Sequence, residues 1–133
     1  MKLTTKSEYT ILALIYLARQ PEGVWVKIEE ICRQFDIPKK YLELLLMPLR
    51  QNRYLQTRRG ASGGYRLMRP ANQITIAEIV RLMDGPLAPT ESVSKYFFSV
   101  TPLSQEPKML AVCKEIRDYI ANRLEKLTLA DLV

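Results

Sequence analysis

The segment from residue 36 to residue 69 restricts the possible folds most. Four leucines in it recur at the spacing of one helix face: Leu42, Leu45, Leu46 and Leu49. This pattern predicts a helix with one buried stripe. The helix is predicted to begin at Pro38, since proline suits the first helical position. Pro48 removes one backbone hydrogen bond from this helix, so we expect the helix to bend or end near it.

A shorter apolar pattern lies just before this helix and predicts another helix over residues 27–35. Asp36 and Ile37 then form a tight turn. Two short helices joined by a tight turn, the second with a polar and basic outer face, are typical of a helix-turn-helix motif. A longer helix, predicted over residues 5–20, precedes the pair.

A glycine-rich hairpin is predicted directly after the helix pair. Its strands cover residues 54–58 and 65–68, and the connecting residues 59–64 read RGASGG. Glycines let the backbone pass close to a ligand because they carry no side chain. A hairpin in this position is the wing of a winged helix-turn-helix.

The C-terminal half contains two further helices. Thr75 and Glu78 match a capping box, so a fourth helix is predicted to begin there and to end at residues 84–85. Residues 85–107 contain four prolines and are predicted to be irregular. A last helix is predicted over residues 108–127. Its apolar residues form a narrow seam suited to pairing with another helix: Met109, Cys113, Ile116, Ile120 and Leu124.

Together these elements predict a mainly helical fold with a small two-stranded β wing. We divide the chain into a winged helix-turn-helix DNA-binding domain (residues 1–84), an effector loop (85–107) and a dimerisation helix with its tail (108–133). The seam on the last helix predicts a homodimer.

Positive charge is concentrated in the helix-and-hairpin segment. Residues 39–69 hold eight basic residues against the single acid Glu43, a net +7, so the rest of the chain carries −1. A surplus confined to one segment indicates a polyanionic partner, here double-stranded DNA, although a merely solvated basic face is the alternative.

Several side chains in this segment are suited to DNA contacts. Lys39 and Lys40 start the third helix, where they can meet phosphates or guanine. Glu43 can accept from a cytosine amino group or pair with a neighbouring lysine, and Leu44 can touch a thymine methyl. Further basic candidates are Arg50 on the helix and Arg58 and Arg59 beside the wing tip, since a narrow minor groove attracts arginine.

Five stretches occur in the order found in one known family: MKLTTKSEYTILALIYLA, IPKKYLELLLMPLR, RRGASGGYRLMRP, ITIAEIVRLMDGPLAP and LTLADLV. They resemble the Rrf2 family of bacterial winged helix-turn-helix transcription regulators. The resemblance implies a homodimer, crossed through its C-terminal helices, that binds a pseudo-palindromic operator, usually as a repressor. It also implies recognition-helix contacts from Tyr41 and Glu43, and a minor-groove wing formed by Arg59, Gly60, Ser62 and Gly63.

The resemblance implies that members of that family that bind a cluster carry three cysteines after the DGPLAP motif. The effector loop of this chain departs from that pattern. Ser92 stands where the first of these cysteines would fall, and the next cysteine is Cys113. Because cluster ligation needs thiolates, we expect no iron–sulfur cluster, no other metal, and a place in the cluster-free branch. Tyr96, Phe97 and Phe98 are candidates for a small-molecule pocket or a protein co-regulator surface, or else they cover the dimer core.

Residue usage argues against catalysis and membranes. The chain has no histidine and only two cysteines, Cys32 and Cys113, which leaves no zinc pattern and no histidine-based catalytic arrangement. No apolar run reaches membrane-spanning length, and the polar N-terminus predicts a cytoplasmic protein. The alternatives left open are an iron–sulfur or thiol redox-sensing regulator and a winged-helix protein-interaction adaptor.

Overall fold

Five α-helices and one two-stranded antiparallel sheet make up the computed structural model, which describes residues 1–133. The helices and strands are α1 (Thr5–Ala18), α2 (Ile28–Phe35), α3 (Lys39–Gln51), β1 (Leu55–Arg58), β2 (Gly64–Leu67), α4 (Ile76–Asp84) and α5 (Pro107–Glu125). Single 3₁₀ turns lie at Ala71–Gln73, Glu91–Val93, Pro102–Gln105 and Leu129–Leu132. The predicted class, mainly helical with a small β wing, is confirmed. No helix combines the length and the apolar character that a bilayer crossing requires.

The leucine stripe of α3 forms part of the main core, as predicted: Leu42, Leu45, Leu46 and Leu49 are all buried. One detail of the prediction is wrong by one position: Pro38 precedes the helix as its N-cap and is not its first residue. The helix continues three residues past Pro48 and ends at Gln51, near the predicted position. The lost hydrogen bond is offset because Leu49 is anchored in the core and the backbone and side-chain nitrogens of Asn52 both donate to the Pro48 carbonyl.

The wing is tied to the helical core through one side of β2. β1 and β2 pair from Leu55↔Leu67 to Arg58↔Gly64, so the strands begin one residue away from their predicted starts. Val26 exchanges two backbone hydrogen bonds with Tyr65, at 2.8 and 2.7 Å. Because side chains alternate along a strand, Tyr65 and its partner Thr57 face one side and the Gln56–Arg66 pair faces the other.

The segment between α4 and α5 is irregular with two 3₁₀ turns and is held by side-chain hydrogen bonds. The predicted capping box at Thr75 and Glu78 is present. In the following loop the Ser92 hydroxyl accepts from the Thr101 hydroxyl at 2.9 Å and lies 3.2 Å from the hydroxyl of Thr90. Arg117 of α5 donates to the Val93 carbonyl at 2.9 Å. These contacts attach the loop to α5.

The five residues of the seam predicted on the last helix do not share one face: two are exposed and three pack within the chain. Met109 and Ile116 are exposed, but Cys113 is only 3% exposed and packs against Ala88 and Val93. Ile120 and Leu124 pack against the main core. These three side chains therefore face their own chain, because α5 folds back onto α4 and the loop. The exposed apolar stripe lies one step around the helix: Met109, Val112, Ile116 and Tyr119.

The carboxylate of Asp84 joins the end of α4 to the start of α1. It accepts hydrogen bonds from the Thr4 backbone nitrogen at 3.0 Å, from the Thr4 hydroxyl, and from the Ser7 hydroxyl at 2.7 Å. Burial raises the pKa of Asp84, but the hydrogen bonds from Thr4 and Ser7 together outweigh burial and hold the pKa below its ordinary value. An acid at the beginning of α1 also complements the helix dipole.

Replacing Asp84 by asparagine should destabilise the fold by about 1–2 kcal/mol at neutral pH, because charge-assisted hydrogen bonds are lost. The folded-state pKa is lowered, so the stabilisation is present above the unfolded-state pKa and is lost as the pH falls through the folded-state pKa. Urea unfolding of both proteins from pH 7 to pH 3 measures this. The difference between the two stabilities should begin to shrink as the pH falls below about 4, where the unfolded-state carboxyl protonates; an equal difference at every pH would contradict the role of the charge.

Candidate nucleic-acid interface

The third helix and the wing enclose one basic cleft of about 340 Å³. Side chains from both elements line it, together with residues at the start of α2. Its charged members are five basic residues and two acids: Lys27, Lys39, Arg50, Arg58, Arg59, Glu29 and Glu43. Tyr65 and Thr57, on the inward face of the wing, complete the wall. The structure thus brings part of the helix candidates to the same surface as the two wing arginines: Lys39, Glu43 and Arg50 lie there with Arg58 and Arg59.

The cleft holds opposite charges next to each other at its α2 side. The ammonium of Lys39 lies 2.9 Å from a carboxylate oxygen of Glu29, and both side chains are about half exposed. The hydrogen bond to Glu29 raises the pKa of Lys39, and the same bond lowers the pKa of Glu29. Arg50, Arg58 and Arg59 have no ion pair within the chain, so their charge faces solvent uncompensated.

The wing tip is tied to the start of α2. The Gly60 carbonyl accepts from the ammonium of Lys27 at 2.7 Å and from the Gly63 nitrogen at 3.1 Å. Gly60 has a φ of 97°, a conformation that favours glycine. The tip residue Ser62 and the two arginines beside it are exposed. The tip is therefore held in place while its polar groups remain accessible.

Lys27 is a cleft residue that the sequence interpretation missed. It lies outside the basic segment 39–69, and only the pairing of Val26 with Tyr65 brings it beside the wing. Conversely, four basic residues of that segment are not in the cleft: Lys40, Arg53, Arg66 and Arg69. Arg66 stacks on Trp25, 4.1 Å from its ring centre, and Arg69 stacks on Tyr54 while donating to the Asn52 and Arg53 carbonyls.

The predicted contacts on α3 fall on two sides of the helix. Lys39, Glu43 and Arg50 line the basic cleft, whereas Lys40, Tyr41 and Leu44 line a second groove formed with α1 and α4. The ring of Tyr41 meets the ring of Tyr9 edge-on with centres 5.8 Å apart, which fixes its position against α1.

The effector loop exposes its three aromatic residues. The guanidinium of Arg81 lies over the ring of Tyr96, 4.8 Å from the ring centre, and forms an ion pair with Glu125 at 2.7 Å. Phe97 and Phe98 are exposed beside it.

The donor groups in this region do not suit an iron–sulfur cluster. The Ser92 hydroxyl is already engaged by Thr101, and Cys113 is buried against Ala88 and Val93. Cys32 lies on α2, and burial raises the pKa of its thiol, the opposite of what thiolate ligation needs. No three histidine, cysteine, aspartate or glutamate side chains come close enough together to hold a metal ion.

Comparison with known proteins gives one consistent family. The profile of the Rrf2 family, described as iron-dependent transcriptional regulators, matches residues 3–133. The transcriptional regulator CymR of Bacillus subtilis is 31% identical over 132 residues, covering 99% of this chain and 89% of that protein.

Solved structures give the same result. The structure of B. subtilis CymR, titled the global cysteine regulator, has a TM-score of 0.85 at 30% identity and covers 99% of this chain and 95% of its own. T. potens IscR has a TM-score of 0.77 at 28% identity, covering 99% and 85%. With its helix pair, basic wing and matching length, the chain belongs to the Rrf2 family of winged helix-turn-helix, DNA-binding transcriptional regulators.

Proposed function

We propose that this regulator acts in the cytoplasm as a homodimer that represses transcription by occupying a pseudo-palindromic operator. The observation that carries the proposal is the basic cleft shared by α3 and the wing. A helix of this size fits the major groove, where base edges are distinguishable, and an arginine-flanked wing suits the adjacent minor groove. Two copies related by a two-fold axis would read two half-sites of the operator.

The side chains of the cleft are suited to different kinds of DNA contact. Arg50, Arg58 and Arg59 supply uncompensated positive charge for phosphates or for the minor groove. Glu43 is exposed on the same helix face and is suited to accept from a cytosine amino group. The pairing of Lys39 with Glu29 means that its contact with a phosphate has to replace an existing ion pair.

Dimerisation through α5 is supported by the exposed stripe on that helix. Four apolar side chains at steps of three, four and three residues stay exposed in one chain, an arrangement suited to a partner helix. We place the homodimer contact on this stripe and not on Cys113, Ile120 and Leu124.

Regulation without an iron–sulfur cluster is supported by the donor groups of the effector loop. Its hydroxyl groups bond to one another, and its exposed rings offer a surface for a small molecule or a protein co-regulator. An iron determination and an absorption spectrum after anaerobic purification test this; stoichiometric iron with visible absorption would reject it.

Replacing Arg59 by alanine should weaken operator binding by about 1–3 kcal/mol, because a charge beside the wing tip is removed. A gel-shift titration measures this with a duplex that the wild-type protein selects from a random library. Lys2→Ala is the control, since Lys2 is exposed at the N-terminus and lines no part of the cleft. Equal affinity of Arg59→Ala and wild type would remove the wing from the interface.

The salt dependence of the same titration separates DNA binding from a protein-interaction role. Binding through several phosphates should weaken steeply as salt rises. A response that stays flat, or the absence of any selected duplex, would favour the adaptor alternative.

A further inference from the structure

A second groove lies on the other side of α3, between that helix, the first turn of α1 and the end of α4. Its volume is about 650 Å³, within the range of small-molecule sites. Leu44, Leu82 and Met83 contribute to its apolar wall, and Leu44 is 66% exposed although it sits on a helix whose other leucines are buried. These side chains give the groove an apolar floor that is open to solvent.

The charged residues that line the groove are all basic. Lys6 from α1 and Lys40 from α3 stand in its lining, and no acidic side chain lines it. Neither lysine has an ion-pair partner. The nearby carboxylate of Asp84 feels the charge of Lys6, but its oxygens are already occupied by Thr4 and Ser7.

From this arrangement we infer that the groove binds a small amphipathic anion, with an aliphatic or aromatic body against Leu44, Leu82 and Met83 and its carboxylate between Lys6 and Lys40. Charge complementarity selects this occupant, because a carboxylate at the edge of the groove can pair with Lys6 and Lys40, neither of which has an ion-pair partner in the chain. A second copy of the chain has a separate surface available in the exposed stripe of α5, none of which lines the groove.

Occupation of the groove has a direct route to the DNA-binding surface. Lys40, Tyr41 and Leu44 belong to the proposed recognition helix and also line the groove. A bound anion would neutralise Lys40 and place negative charge beside the DNA phosphates, so ligand and DNA should compete. This regulatory consequence rests on the proposed function, whereas binding of the anion does not.

The test uses dodecanoate as the probe and the full-length chain labelled at its methionine methyl groups with carbon-13. Met83 lines the groove, Met109 lies on the α5 stripe, and Met68 lies exposed on the wing. Below its micelle concentration, dodecanoate should shift the Met83 resonance saturably and leave those of Met68 and Met109 unchanged. Each methylene removed from the probe should weaken binding by up to about fourfold.

Two variants test where the carboxylate and the alkyl chain of dodecanoate bind. Lys6→Gln should weaken dodecanoate binding about fivefold, while the matched control Lys2→Gln should not, since Lys2 does not line the groove. Met83→Gln should weaken it about tenfold, with thermal unfolding monitored to confirm that the variant is folded.

The inference is overturned if no methyl group responds, which would mean that the groove is closed in solution, for example by a second copy. It is also overturned if Met109 and Met68 respond as strongly as Met83, or if Lys6→Gln binds as the control does. Failure of the protein to bind any DNA would count against the proposed function alone, since the titration contains no DNA. If dodecanoate binds in the groove but does not weaken DNA binding, the proposed competition between ligand and DNA is wrong.

Discussion

Replacing Gly64 by alanine is expected to destabilise the protein by roughly 3 kcal/mol or more. Gly64 has a φ of 148°, which side chains rarely adopt, and an added Cβ would overlap the backbone carbonyl of Val26. Neither the backbone at Gly64 nor the Val26 carbonyl can move easily, because two short backbone hydrogen bonds join Val26 to Tyr65, the residue after Gly64. The wing would have to separate from the core, taking Arg58 and Arg59 away from α3.

Gly60→Ala is the matched control for this substitution. Gly60 lies in the same hairpin at a φ of 97°, but nothing lies within 4 Å of the position where its Cβ would be. Its alanine variant should lose only about 1 kcal/mol, the cost of the backbone conformation. Chemical unfolding of both variants measures the difference. If Gly64→Ala proved as stable as Gly60→Ala, the close contact between wing and core would be refuted.

The parts of the fold that were predictable are those in which the signal is local. The leucines of α3 recur on one face, and Thr75 with Glu78 forms a capping box within four residues. Such patterns depend only on helix geometry and short-range hydrogen bonds. The wing was predictable for the same reason, because its turn is marked by glycines.

The course of α3 past Pro48 was not predictable from local rules. Proline lowers helix stability wherever it stands inside a helix. Here the burial of Leu49 and two bonds from Asn52 to the Pro48 carbonyl keep the last turn helical. Those contributions come from tertiary packing and from the chain after the helix.

The orientation of side chains on α5 and in the basic segment needed the tertiary structure as well. Spacing alone does not tell which of two neighbouring faces of α5 meets its own chain, and Cys113 turned out to face Ala88 and Val93. Charge alone does not tell which arginines are free, and Arg69 is committed to Tyr54 and two carbonyls. The sequence therefore predicted the cleft but not its full membership.

The largest effect on function is expected from a charge placed in the exposed stripe of α5. Ile116 is 44% exposed in the single chain and lies between Val112 and Tyr119 on that stripe. In a two-fold symmetric dimer one substitution alters the contact twice. Losing the apolar side chain and burying an unpaired carboxylate should together cost about 3 kcal/mol or more of association free energy.

Ile116→Asp should therefore raise the dimer dissociation constant at least about 100-fold, which sedimentation equilibrium measures. Operator affinity should fall with it, because each half-site is then bound by a separate monomer. Ala111→Asp is the control: it adds the same charge at an exposed position of α5 about 140° around the helix, and it should leave both quantities unchanged. If Ala111→Asp dissociates the dimer and Ile116→Asp does not, then the interface lies on a different face of α5, and the two recognition helices are spaced by another arrangement of the chains.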